Sequence, residues 1–354
     1  MANQAHSAVV YGIDLGKTWF HVAGCDATGR SLHKVKLSRS RVFPFFANTS
    51  VALIGMEACP GSQWLARRLQ ALGHTVKIMP AQFVKPYVKS NKNDAVDAEA
   101  IAEAVTRPSM RFVQVKQTEQ VDLQALHRAR DLIVSTRTRL ICQMRAFCLE
   151  YGIAMRNGAG AFKLDADVLK VLNDDTNELT PAMRHLLREL WNQLQELEAR
   201  IQKFTRQIES IASRSQFARR LLTIPGIGPL GATALLAAVG DGKQFKSGRD
   251  MAAWLGLTPA QYSTGGKSTL LGVSKRGHAY VRRLLIHGAR SCVIHLDRTR
   301  DRLGSWITDL QRRMHINKVV VALANKLARI AWVVLTRPGA LYQRVDPAFS
   351  GGST

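Results

Sequence analysis

Covalent cross-linking has little to work with in this sequence. Its five cysteines, Cys25, Cys59, Cys142, Cys148 and Cys292, are odd in number, and no two stand at CxxC spacing. That argues against a disulfide framework and a zinc site, and fits a reducing compartment. Long apolar stretches are also missing: no run reaches the roughly 18 residues that span a bilayer. The opening MANQAHSAVVYGID has no basic start followed by an apolar core, so neither a secretory leader nor a membrane partner is expected. Acidic residues are scarce. Only 26 Asp and Glu face 50 Lys and Arg, a formal net charge of +24. Such an excess repels itself unless a polyanion takes it up, and nucleic acid is the partner that gains counterion entropy in doing so.

What is present suffices for folded domains. With 46% hydrophobic residues over 354 positions, the chain can bury real cores, and its length suits two domains and a connector. Residues 1–115 read as α/β. Strands are expected at residues 8–13, 19–24, 31–37, 51–56 and 74–78, from apolar runs closed by turn residues. Helices are expected at 63–72, stopped by Gly73, and at 94–105, with Asp94 as the cap. Residues 116–216 read as a helical coiled-coil linker. One arginine-rich amphipathic helix begins near 118. A second runs over 181–212, with Leu187, Leu190, Leu194, Leu197, Ile201, Phe204 and Ile208 as a heptad-like stripe. The stripe serves an intramolecular hairpin or a dimer equally well. The polar stretch 156–178 joins the two. Residues 217–354 read as a mainly α-helical domain with glycine-rich breaks. Its segment 267–313 carries eleven Lys and Arg against three Asp. The tail 350–354 is expected to be mobile.

Four acids stand apart. Asp14 ends the first apolar strand, Glu57 follows the run VALIGM, and Asp94 and Asp97 lie three apart at a helix start. Open sheets place ligand groups at strand ends, and a three-residue step keeps two acids on one helix face. Close carboxylates repel unless a cation joins them. Hard oxygen donors suit Mg²⁺ or Mn²⁺, and two such ions about 3.5–4 Å apart can clamp a phosphodiester. Taken singly, Asp94 is also a good helix cap and the others ordinary surface acids. Lys17, in GIDLGKT, hints at a phosphate loop, but GxxxxGK[ST] is absent.

Two motifs follow in the basic half. LLTIPGIGPLGATALL reads as a helix-hairpin-helix, whose Gly226 and Gly228 let backbone N–H groups approach a phosphate; a plain tight turn between helices gives the same pattern. QYSTGGK then offers Ser263 and Thr264 before two glycines. Lys267, Lys275 and Arg276 stand near enough in sequence to offset negative charge at a phosphate, and Arg282 and Arg283 extend the basic set. A simple Ser/Gly turn is the plain alternative.

In combination, GIDLGKTWFHVAG, GMEACPGS, NKNDAVDAEAIAEA, IPGIGPLGATALLAAVGD, FKSGRDMAAWLGLTPAQYSTGGKSTLLGVSKRGHAYVRRLLIHGAR and NKVVVALANKLARIAWVVL resemble the insertion-sequence transposases with a DEDD tetrad. This is the IS110 family in its STGGK-motif branch, which also includes the pilin-gene invertases. The resemblance covers most of the chain in order. It implies a RuvC-like (ribonuclease-H-like) α/β N-terminal domain and a helical linker. It also implies a mainly α C-terminal transposase domain with a helix-hairpin-helix. The implied activity is DNA strand cutting and rejoining in a bacterial cytoplasm, near the nucleoid. Asp14, Glu57, Asp94 and Asp97 would hold Mg²⁺ or Mn²⁺, two ions per site. A serine would attack a DNA phosphate and form a phosphoserine link. A noncoding guide RNA would pair with donor and target double-stranded DNA, and the protein would act as a dimer or tetramer. Ser263 is the expected nucleophile, matching the family serine with one residue fewer after Tyr262; Thr264 is the alternative. Three rivals remain: a metal-only junction nuclease using water, a non-catalytic RNA- or DNA-binding scaffold, and an actin-like kinase suggested by GIDLGKT.

Overall fold

The computed structural model describes residues 8–88, 94–155, 165–299 and 302–344. The tail 350–354 and residues 156–164 of the expected connection lie outside them. The chain forms two compact units, Met1–Thr118 and Glu119–Thr354.

The first unit is a five-stranded mixed sheet with helices on both faces. Its strands are β1 (Val10–Leu15), β2 (Trp19–Cys25), β3 (Ser31–Ser38), β4 (Leu53–Glu57) and β5 (Thr75–Met79), in the order β3-β2-β1-β4-β5. The strands β1, β2 and β3 form an antiparallel meander, while β4 and β5 run parallel to β1. This α/β layout is the one expected, and it is consistent with a RuvC-like domain.

Strand alternation divides the residues of β1 between two cores. Tyr11 and Ile13 point into a cluster with Phe46, Leu65 and Leu69. These three come from α1 (Val42–Ala47) and α2 (Ser62–Ala71). Val10, Gly12 and Asp14 point to the other face. It is covered, beyond the short α3 (Ala81–Val84), by α4 (Asp94–Val105), a helix of small residues with Ala98, Ala100, Ala102 and Ala104 buried. The approach there is close. A Cβ on Gly12 would stand 2.0 Å from the Ala98 carbonyl oxygen, and one on Gly55 2.8 Å from Val105 Cβ. Glycine on the sheet and alanine on the helix therefore bring the start of α4 down onto the end of β1.

The second unit is mainly helical. Its long helices α5 (Thr118–Leu149) and α7 (Pro181–Arg214) flank α6 (Asp165–Asn173). Thr180 caps α7 by accepting from the Met183 N–H, with Pro181 at the first helical position. An Arg137–Glu198 ion pair at 3.1 Å and an Arg130 Nε–Thr205 Oγ1 bond at 2.8 Å fix one antiparallel register. The same offset sets Met144 level with Trp191 and Cys148 level with Leu187, and all four lie in one buried cluster. The stripe on α7 is thus covered within the chain over this stretch.

Among the described residues six further helices belong to the unit: α8 (Gln216–Leu221), α9 (Pro229–Val239), α10 (Gly248–Trp254), α11 (Ala279–His295), α12 (Arg302–Gln311) and α13 (Ile316–Thr336). They share one core. By length and composition α13 could cross a membrane, but it buries Val320, Leu323, Leu327 and Ala331 against its neighbours and carries Lys318, Lys326 and Arg329. It is a core helix. One β-hairpin interrupts the helices, β6 (Pro259–Thr264) with β7 (Lys267–Val273).

A buried polar network joins α5, α9 and α11. His127 Nδ1 lies 2.9 Å from Tyr280 Oη, and Nε2 lies 2.9 Å from Thr233 Oγ1. Thr233 donates its own proton to the Pro229 carbonyl at 2.6 Å. It therefore accepts from Nε2–H, and Tyr280 donates to Nδ1. The imidazole is neutral; burial, helped by Arg130, pushes its pKa from 6.5 down to about 4. The unfolded chain takes up this proton near pH 6.5 and the folded one only near 4. The contribution is therefore intact above about 6.5 and is lost as the pH falls towards 4. Thermal midpoints measured from pH 7.5 to 4.5 should fall more steeply for the wild type than for His127→Gln. Parallel curves would refute this role.

Candidate functional site

The end of the sheet where β1 finishes is where the predicted acids gather. Asp14 is the fifth residue of β1, and β1–β2 pairing sets it opposite His21. Cross-strand partners project to the same face, so both side chains look towards α4. Glu57 closes β4 on that face, since Leu53 and Gly55 alternate with it. Asp94 stands in the first turn of α4. One atom each from Asp14, His21 and Asp94 lies within 4.8 Å of the other two. His21 Nδ1 is 3.5 Å from Asp94 Oδ2. That approach does not make a hydrogen bond, and the buried Nδ1 has no hydrogen-bond partner.

Glu57 and Asp97 are outside this trio. Glu57 remains close: it and Asp14 both raise the pKa of Cys59, after burial, which is the larger cause. Asp97 follows Asp94 by three residues and is half-buried. A divalent cation fits this donor set. Two carboxylates and a nitrogen without a hydrogen-bond partner face one another in a chain that could have placed any of its 50 cations there. His21 escaped sequence reasoning, although a signal was there. A hairpin turning over Gly16-Lys17-Thr18 pairs position 14 with position 21.

The surface beside this end also combines bases and rings. Lys36 lies over the Trp19 ring at 5.2 Å, and Arg39 over Phe20 and Trp64 at 5.3 and 5.0 Å. Lys17 is exposed at the hairpin tip and its carbonyl accepts from Arg39. Exposed Trp19 and Trp64 with cations around them suit stacking on nucleobases. The residues are dispersed in sequence, which hid them.

The second unit carries the hydroxyls. Ser263 and Thr264 are exposed on β6, and Gly265 and Gly266, with φ of 54° and 76°, make the tight turn. Two successive positive φ values are what a two-residue hairpin loop requires. The register pairs Ser263 with Ser268 and Thr264 with Lys267. Gln261 Nε2 donates to Ser263 Oγ at 2.8 Å and to Ser268 Oγ at 2.9 Å. Between residues 259 and 273 there is no carboxylate or imidazole, so neither kind of general base comes from the hairpin.

The other predicted contacts are mixed. Lys275 and Arg276 are exposed. Arg282 Nη1 donates to the Leu255 carbonyl at 2.9 Å, and Arg283 pairs with Asp131 and lies over the Tyr280 ring. In the glycine hairpin, Gly226 (φ 81°) packs against Gly288, whose carbonyl oxygen would be 2.7 Å from an added Cβ. Gly228 is open, at the start of α9. Both line a hollow of about 230 Å³ shared with Glu209, a carboxylate that opposes a phosphate there.

Comparison with known proteins bears on both units. Residues 11–153 match a family of DEDD transposases of IS110 type, and residues 218–303 match the "Transposase IS116/IS110/IS902 family". The chain is 44% identical over 331 residues to the "Transposase for insertion sequence element IS1328" of Yersinia enterocolitica, covering 94% of this chain and 98% of that one. It is 46% identical over 327 residues to a "Probable family 20 transposase" of Pseudomonas aeruginosa, covering 92% and 96%. A "Pilin gene-inverting protein" of Moraxella bovis is 24% identical over 312 residues, 84% of each chain.

Proposed function

The chain belongs to the IS116/IS110/IS902 family of DEDD transposases, and from that premise we propose that it exchanges DNA strands through a Ser263 nucleophile and a divalent-cation site on Asp14, Glu57, Asp94 and Asp97. Cutting and rejoining DNA follows from the family. The finer reading rests on one observation above all: Asp14 and Asp94, far apart in sequence, meet at the end of β1 with ligand atoms within 4.8 Å.

Asp14 and Asp94 would hold a cation, with Glu57 at the end of β4 and Asp97 on α4 available for a second. When bound, Mg²⁺ or Mn²⁺ supplies charge neutralisation at the scissile phosphate and polarises its oxygens. Ser263 Oγ would form a bond to phosphorus as the bond from phosphorus to a sugar oxygen breaks. The serine gives up its proton and the departing oxygen takes one. One phosphoester replaces another, so the covalent link keeps the energy needed for rejoining. Thr264 is the alternative nucleophile. Because the hairpin has no carboxylate or imidazole, activation is assigned to groups outside it; the carboxylates belong to the other compact unit. A dimer or tetramer in which one subunit's serine serves another's carboxylates is part of the reading.

A noncoding guide RNA pairing with donor and target DNA completes it. The formal charge of +24 supports a nucleic-acid partner. So does the relative named for inverting a pilin gene, since inversion rejoins every end it cuts. The full chain, freed of nucleic acid, should join donor and target duplexes with Mg²⁺ only when RNA transcribed from the element's end is added. Equal joining without RNA would overturn the guide. Cut ends that are never joined would overturn the recombinase reading in favour of a nuclease.

A further inference from the structure

We propose that His21 is a direct metal ligand, making the centre a mixed nitrogen–oxygen site that favours Mn²⁺ over Mg²⁺. The inference rests on the cation site proposed above and adds a residue that the acidic tetrad does not contain.

The geometry carries it. Ligand atoms on one octahedral ion at about 2.1 Å lie about 3 Å apart when adjacent and about 4.2 Å when opposite. His21 Nδ1 and Asp94 Oδ2 are 3.5 Å apart, and all three donors fall within 4.8 Å. A small inward rotation of each side chain closes that set on a single ion. The nitrogen is also prepared for it. Nδ1 is buried and lacks a hydrogen-bond partner, a state that is unfavourable unless something fills the place. A cation among two carboxylates and the imidazole does so.

The fold fixes the ring as well. His21 sits in the middle strand of the antiparallel meander, flanked by buried Phe20 and Val22. It is paired with Asp14 on one side and Lys36 on the other. Its backbone cannot shift without breaking the register that positions Asp14. The imidazole adds a neutral nitrogen to the oxygen donors. Mg²⁺ is the harder ion and prefers an all-oxygen set, whereas Mn²⁺, a first-row transition ion, accepts an imidazole nitrogen more readily.

Mn²⁺ is both ligand and probe. Binding to the full chain, free of nucleic acid, is followed by electron paramagnetic resonance, and pulsed spectra report nitrogen coupled to the bound ion. The wild type should show ¹⁴N modulation from one imidazole. His21→Ala should lose that modulation and bind Mn²⁺ about tenfold or more weakly, with Mg²⁺ affinity changed less than about threefold. Tight, Asp14-dependent Mn²⁺ binding without ¹⁴N modulation in the wild type would overturn the proposal even if the variant fails to fold. Unchanged Mn²⁺ affinity in a folded His21→Ala would do the same. If Asp14→Asn and Asp94→Asn leave Mn²⁺ affinity untouched, the cation site itself is wrong. That outcome is separate from loss of the histidine alone.

Discussion

Asp14→Asn abolishes strand exchange, by about a thousandfold or more, while affinity for nucleic acid at fixed salt stays within about twofold of the wild type. The first number follows from what the carboxylate does. Charge on a scissile phosphate is stabilised by a cation, and removing a group that anchors such stabilisation costs two to three orders of magnitude or more. The second follows from where binding energy resides. Phosphate contacts from Lys and Arg dominate affinity for nucleic acid, and one acid among 50 bases hardly alters that sum. Asn keeps the shape of Asp, so the close packing of α4 on Gly12 is undisturbed. Exchange is measured as joined product per unit time, and affinity by filter binding. Exchange at more than about a tenth of the wild-type rate would remove Asp14 from the centre. A parallel loss of affinity would make it a structural residue.

Ser263→Ala eliminates the covalent protein–DNA adduct that a denaturing gel detects, and with it the joined product. Thr264→Ala does not. The hairpin makes this a clean contrast. Neighbouring residues on a strand face opposite ways, so Ser263 shares a face with Gln261 and Ser268, while Thr264 shares one with Lys267. A phosphate seated on one face is out of reach from the other. Both residues are exposed. The alanine variants should therefore keep their stability to within about 0.5 kcal/mol, and Gln261 still has Ser268 Oγ as an acceptor. If the adduct disappears only with Thr264→Ala, the nucleophile is the threonine, and Lys267 beside it explains the choice. If joined product persists in Ser263→Ala with protein never attached to DNA, water or a DNA hydroxyl is the attacking group.

Legibility in the sequence followed burial and capping. The bounds of α4 and the starts of α5 and α7 could be read because Asp94, Thr118, Thr180 and Pro181 are start signals followed by apolar periodicity. The five strands of the first unit showed as apolar runs; β2 and β3 began as read, and every strand end fell within two residues of its expected place. The most consequential shift extended β1 past Asp14 to Leu15, which makes Asp14 a paired strand residue opposite His21. The β6–β7 hairpin was not read as strands because its residues are nearly all exposed, so no alternation of apolar and polar marks it. Helix α6 lay hidden in a polar stretch; among its described side chains Val168 and Leu172 are buried.

By itself, the order of residues determined the classes of chemistry available: a strongly basic chain, four spaced acids, a hydroxyl before two glycines, and a family likeness over most of its length. Those are properties of composition and local spacing, and local interactions set helix starts and turns. Which acids share a site was a matter for tertiary packing. The pairing of β1 with β2 brought His21 level with Asp14, and small residues at Gly12 and along α4 let Asp94 close on both. Long-range contact depends on strand register and on how nearly two backbones can approach. Neither quantity is written at any single position of the chain.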